Sequence, residues 1–148
     1  MKQEDKALLF KDLSTRLPYH VRVKVWLKDG TTEEGALDLE HNYGDVLRDA
    51  FFYYNKIIDI KPYLRPMSSM TSEEIHEFQE ILGPDIEVGY GFVDILSSSI
   101  HTFSFLELQA LFDWLNAHHF DYRGLIPKGL AIAAVGENNP YKEKGGEK

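Results

Sequence analysis

Between Val21 and Leu27 an apolar residue falls on every second position, with Arg22, Lys24 and Trp26 between them. Successive side chains of a strand point to opposite faces, so Val21, Val23, Val25 and Leu27 describe a strand buried on one side only. Asp29-Gly30 then supplies turn chemistry, and Gly35 to Glu40 is expected to return beside the first strand as a β-hairpin.

Upstream the period is helical. Leu9, Phe10, Leu13 and Leu17 predict a helix over residues 3–14, ending ahead of Pro18. Residues 42–57 fit two patterns: Val46, Leu47, Ala50 and Phe51 suit a helix, while Phe51-Phe52-Tyr53-Tyr54 favours a strand, and a turn followed by a strand at 50–54 is the reading adopted. Ile58, Ile60, Pro62 and Leu64 alternate again. Each proline removes a ladder donor and pushes its predecessor, Lys61 or Arg65, out of helical space, which places this run at a sheet edge or closure. These short strands predict a small curled antiparallel sheet, similar in shape to a partial SH3-type barrel.

The second half reads differently. Thr71-Ser-Glu-Glu74 has capping-box spacing and opens a helix with Ile75, Phe78 and Leu82 as its apolar positions, stopped by Gly83-Pro84. Residues 86–95 alternate around Gly89 and Gly91 as a strand with a bulge, Ser97–Ser99 form a turn, and Ile100–Phe103 a further strand. Ser104-Phe-Leu-Glu107 repeats the capping spacing ahead of Leu108, Leu111, Phe112 and Leu115, an amphipathic helix whose left-handed stop falls to Gly124. Leu130–Val135 is expected to be a last buried strand and 136–148 a disordered tail. The fold class is α+β, one domain over 1–135 with a β-rich half at 18–66 and an acidic α/β half at 67–135.

With 43% hydrophobic and 27% charged residues the composition is that of a globular chain able to build a core without staples. No apolar run approaches the roughly 20 residues of a membrane span. The polar start Met-Lys-Gln-Glu-Asp-Lys lacks the apolar core of a signal peptide, so a cytoplasmic location is the expectation. The absence of cysteine excludes disulfides, thiolate metal sites and cysteine nucleophiles.

The net charge of −8 is unevenly spread: residues 1–66 carry 11 acidic and 11 basic side chains, whereas 67–135 carry 10 acidic and 2 basic. A protein that neutralises phosphates shows the opposite sign, so duplex nucleic acid is disfavoured as a partner; a basic face would have to come from Arg22, Lys24 and Lys28. Glu73, Glu74, Glu77 and Glu80 make an acidic helix face with no lysine or arginine between Met67 and Tyr122. It is either a solvated face with acids near a helix N-terminus or a docking face for a basic protein. Trp26, Tyr53 and Tyr54 are the aromatic candidates for such contact.

His118, His119, Asp121 and Arg123 invite a catalytic or metal reading, because imidazole and carboxylate carry protons and ligate metals near neutral pH. The spacing argues against it. Adjacent histidines point about 100° apart on a helix, whereas a helical metal pair needs i, i+3 or i, i+4. Continuing the stripe Leu108, Leu111/Phe112, Leu115 by one turn reaches the two histidines, so these residues, with Arg123 bridging a carboxylate and carbonyls, are read as a structural clasp on the helix end. Arg65, Arg123 and Tyr122 form a second constellation, in which Arg123 is either structural or an anion-binding arginine; the surroundings offer no phosphate-loop pattern, so the structural reading is favoured. No Gly-x-Gly-x-x-Gly, Walker A, Gly-x-Ser-x-Gly or His-x-x-x-His pattern occurs, so no cofactor and no metal are expected.

Three phrases are more idiosyncratic: Lys11-Asp-Leu-Ser-Thr-Arg-Leu-Pro-Tyr19, Lys61-Pro-Tyr-Leu-Arg-Pro-Met-Ser-Ser-Met-Thr71, and Phe112 through Ala131 with Asp-Trp-Leu-Asn-Ala-His-His-Phe-Asp-Tyr-Arg-Gly-Leu-Ile-Pro-Lys-Gly-Leu between. Together they resemble a family of small uncharacterised proteins encoded in phages and prophages of gut Bacteroidetes. The resemblance implies one folded unit and a phage setting, and carries no activity with it. Two function classes follow: a non-enzymatic accessory protein that binds a host or phage protein, or a small hydrolase or ligand-binding protein with a His/Asp/Arg cleft.

Overall fold

The computed structural model describes residues 2–37, 57–82 and 105–142. Helix α1 (Gln3–Arg16) leads through a 3-10 turn (Leu17–Tyr19) into β1 (Arg22–Leu27), β2 (Thr32–Ala36) and β3 (Ile57–Leu64). After a turn at Met67–Ser69 come α2 (Ser72–Leu82), α3 (Phe105–Ala117), the two-residue β4 (Ile132–Ala133) and a last turn, Gly136–Asn138. This is an α+β fold. The expected strand at 50–54, the strands at 86–95 and 100–103, and the capping residue Ser104 lie outside the described residues.

Strand order is β2-β1-β3-β4. β1 runs antiparallel to β2 and β3, but β4 runs parallel to β3, so the expected all-antiparallel, barrel-like curl is corrected to an open mixed sheet. The reason is the connection: between β3 and β4 the chain passes through α2 and α3, and a helical crossover brings it back in the same direction. β3 is thereby an inner strand rather than an edge. Pro62 is tolerated because β4 pairs with Tyr63 and Leu64, one residue beyond the position that lacks a donor.

The hairpin forms, with an earlier return. The Asp29 Oδ1 accepts from the Thr31 amide at 2.9 Å and its hydroxyl at 2.6 Å, Gly30 takes φ 89°, and pairing resumes at once with Trp26 opposite Thr32. The return strand therefore begins at Thr32, three residues ahead of the expected Gly35, and residues 38–40 of the expected strand lie outside the described residues. On β3, Trp26 faces Asp59 and Leu27 faces Ile57, which leaves Ile58 as an extra residue in a bulge. The slip turns Ile58 out to solvent, 66% exposed, and puts Ile57 on the buried face instead.

Two cores result. In the first, α1 lays Leu9 and Leu13 on the sheet face of Val21, Val23, Val25, Ile60 and Leu64, joined by Leu125, Leu130 and Ala131. Each fully buried leucine contributes roughly 1.5–3 kcal/mol by leaving water. In the second, α2 and α3 close on Phe78, Leu111, Leu115 and Phe120, with Met67, Met70 and Ile81 around them. Ile75, expected inside, is partly exposed. The capping box closes α2: the Glu74 amide donates to Thr71 Oγ1 at 3.1 Å, and the Thr71 amide to Glu74 Oε1 at 2.9 Å.

Residues 136–142 are not the free tail expected. The Tyr141 hydroxyl accepts from the Arg22 amide at 2.8 Å and donates to the Tyr63 carbonyl at 2.7 Å, so one side chain ties the segment to the end of the sheet. Among the described residues no helix is long and apolar enough to cross a membrane.

Candidate functional site

The sequence-derived candidates converge on the end of α3. That helix stops where His119 turns left-handed, φ 63°. The His119 amide donates to the Asn116 carbonyl at 3.1 Å and the Phe120 amide to that of Leu115 at 3.0 Å, the two bonds of a Schellman motif. Leu115 and Phe120 are buried together beneath it. Gly124, the expected stop, is also left-handed at φ 76° but belongs to the next turn. A histidine thus occupies a position that glycine would take without steric cost.

The two histidines then part. His118 Nδ1 lies 2.9 Å from the Trp114 carbonyl. A carbonyl can only accept, so Nδ1 carries the hydrogen and Nε2 is left facing Glu77 Oε2 at 3.9 Å. The Trp114 ring stacks on His118 at 4.1 Å, and its indole N–H donates to the same Glu77 oxygen at 3.0 Å. His119 points the other way. Its ring lies flat on Tyr141 at 3.9 Å and 11°, and its Nδ1 is buried with no hydrogen-bond partner. Burial, then the nearby charges of Arg16, His118, Arg65 and His20, push the imidazole down to about 4, so it is neutral.

Asp121 and Arg123 serve two further places. The Asp121 carboxylate accepts from the Leu125 amide at 2.8 Å and the Ile126 amide at 2.9 Å, capping the single turn that carries both leucines of the 125–130 segment into the first core. Arg123 reaches back across 111 positions to Asp12 Oδ1 at 2.9 Å and lies over the Tyr122 ring. The other Asp12 oxygen accepts from Arg16 Nε at 2.8 Å, and Arg16 Nη2 donates to the Phe120 carbonyl at 2.7 Å. Asp12 and Arg16 are both fully buried, and Arg16 Nη1 has no partner. Sequence reasoning missed this pair. Its signal was an aspartate and an arginine one turn apart, each three residues after a buried leucine, Leu9 or Leu13, on a helix face where charges are retained only when paired.

Arg65 is the second tie. Its amide donates to the His119 carbonyl at 2.7 Å, its own carbonyl accepts from the Asp121 amide at 2.8 Å, and its guanidinium grips Glu74 through two bonds of 2.6 and 2.7 Å while covering the Phe120 ring. Burial by itself would raise the Glu74 carboxyl, but the Arg65 and Thr71 hydrogen bonds outweigh it and hold the group down at about 2. Glu74 therefore leaves the acidic face on which the sequence placed it.

What remains of that face is Glu73, Glu77 and Glu80, spaced i, i+4, i+7 on α2, all exposed. Glu80 lies 3.5 Å from His76 Nε2. Glu77 meets the Trp114–His118 stack, forming a ledge of carboxylate and aromatic edge between α2 and α3. Trp26 is elsewhere, on the wet face of the sheet between the Lys24 and Lys61 ammoniums at 5.5 and 5.8 Å. Tyr53 and Tyr54 lie outside the described residues. No three histidine or carboxylate groups among the described residues are arranged to hold a metal ion. Compared with known proteins, the chain matches no family model, no curated protein and no solved structure.

Proposed function

We propose that this is a non-enzymatic accessory protein that binds a protein partner, a host or phage protein as the resemblance implies, through the ledge of Glu77 and Trp114 flanked by Glu73 and Glu80. The observation that carries this reading is the shared Glu77 oxygen, which accepts from the Trp114 indole at 3.0 Å while the carboxylate stays half exposed. A half-exposed carboxylate accepts charge-assisted hydrogen bonds from lysine or arginine side chains. Three aligned acids extend that preference along α2. The hydrolase reading loses support because its four residues do not meet in one cleft: His118 faces Glu77, His119 faces Tyr141, Asp121 caps a turn and Arg123 holds Asp12.

The test uses Trp114 as its own reporter. In a Trp26→Phe background, titration with an arginine-rich peptide is expected to perturb indole emission and to weaken as salt approaches about 0.15 M, where surface charges are screened. Glu73→Lys, Glu77→Lys and Glu80→Lys together are expected to abolish the response, and duplex DNA to produce none. An undiminished response in the charge-reversed protein, or a micromolar shift of duplex DNA at that salt, refutes the reading.

A further inference from the structure

We propose that residues 136–142 are a detachable strap, latched by Tyr141 and released when His119 takes up a proton. Among the described residues the strap is held through Tyr141. The turn Gly136–Asn138 contains no buried residue, and Pro140 and Lys142 on either side of Tyr141 are exposed. Asn139 is half-buried and its Oδ1 accepts from the Tyr141 amide at 2.9 Å, and among the described residues the segment bonds to the sheet through the Tyr141 hydroxyl, set between the Arg22 amide and the Tyr63 carbonyl. The β1–β3 register ends at Val23 opposite Pro62, so Arg22 and Tyr63 stand at the position where the next pair would fall, and the phenol bridges them there.

Beneath the phenol ring is the imidazole of His119, stacked at 3.9 Å, with Nδ1 buried and unpartnered. An added proton on this ring would meet charge or potential charge on every side. Arg16 of α1, His20 beyond the 3-10 turn, Arg65 just past β3 and His118 just past α3 all act on it with the same sign, and Asp12 is already held by Arg16 and Arg123. Hence the neutral form prevails down to about pH 4, against 6.5 for an unburied imidazole.

The element that yields is the segment tied to the sheet through the Tyr141 hydroxyl, its turn containing no buried residue. Lifting Tyr141 returns water to the imidazole while both cores stay closed, whereas moving α1, β3 or α3 would open them. The attraction of a charged imidazole for the phenol face opposes release. It acts against burial and four neighbours of like sign, so it lowers the midpoint of release without reversing its direction. Release exposes the Arg22 amide, the Tyr63 carbonyl and the His119 ring together. Proton binding and strap docking are thus linked equilibria with one conformational readout.

Nuclear magnetic resonance of the full chain from about pH 7.5 to about pH 4 tests this across the range in which histidine titrates. The His119 ring signals, the Arg22 amide and the amides of 136–142 are expected to move with one shared midpoint between about 4 and 6.5, while Leu9 and Leu64 in the core stay unchanged. Tyr141→Ala is expected to free the strap at neutral pH and to raise the His119 midpoint toward 6.5. His119→Gln is expected to abolish the acid-induced change in the strap. The proposal is overturned if His119 titrates while the strap stays docked, if Tyr141→Ala leaves the His119 midpoint in place, or if the core signals are lost in the same step.

Discussion

Truncating Asp12 to alanine takes from Arg16 and Arg123 the carboxylate that both of them hold, at 2.8 and 2.9 Å. Arg16 has no exposed surface, so it cannot recover the lost bond from water without dragging α1 away from Phe120. Arg123 is 19% exposed and can turn outward. Breaking a buried pair by removing one member costs about 3–5 kcal/mol, and the mobility of Arg123 places the expected loss near the lower end, about 3 kcal/mol. At about 2–4 °C per kcal/mol for a domain of this length, the melting temperature should fall by about 6–12 °C. Arg16→Met should cost less, because Asp12 keeps Arg123 and the unpartnered Nη1 disappears with the guanidinium. Urea denaturation of Asp12→Ala, Arg16→Met and the double variant measures the coupling, which should reach at least about 1 kcal/mol for groups in direct contact. A loss below about 1 kcal/mol for Asp12→Ala, or additivity within about 0.5 kcal/mol, would show that the pair is not what holds α1 to the end of α3.

Acid should weaken the fold in two windows. His119 has a lowered folded-state value, so the unfolded chain binds its proton first and stability falls between pH 6.5 and about 4, by at most about 3 kcal/mol; Glu74, also lowered, contributes stability that is complete above 4.5 and is lost toward 2. In Arg65→Met, stability measured against pH should show a smaller lower step, Thr71 still bonding Glu74, while most of the upper step stays because burial is its main cause. Tyr141→Phe retains the ring stack but leaves the Arg22 amide and Tyr63 carbonyl unpaired, an expected cost of about 1–3 kcal/mol in chemical denaturation. A chain ending at Ser69 should be poorly folded, since Leu64 and Arg65 lose the bonds they accept from the Ala134 and Asp121 amides and the first core loses Leu125, Leu130 and Ala131; dispersed amide signals and a sharp unfolding transition would contradict this.

Features whose cause lies within a few residues were legible in the sequence: the alternation through Val25, the Asp29-Gly30 turn, the Thr71–Glu74 box and the stripe through Leu111 and Leu115 all occupy the elements that their spacing implies. Backbone sterics and side-chain periodicity act over one turn or one pleat, so the chain carries that information locally. Tertiary structure decided the rest. The bulge that expels Ile58 depends on the register against Trp26, the direction of β4 on the crossover before it, and the inner place of Pro62 on where β4 begins to pair. The same holds at the helix end. Periodicity carried the α3 stripe to His118 and His119, but the left-handed turn at His119 opposes the two rings, and the partners that absorb Arg123, Glu74 and Tyr141 are Asp12, Arg65 and the β1–β3 ladder. A charged or aromatic side chain shows in sequence what it can bond to; which partner satisfies it is settled only when packing brings distant segments within about 3 Å and removes the water that would otherwise compete.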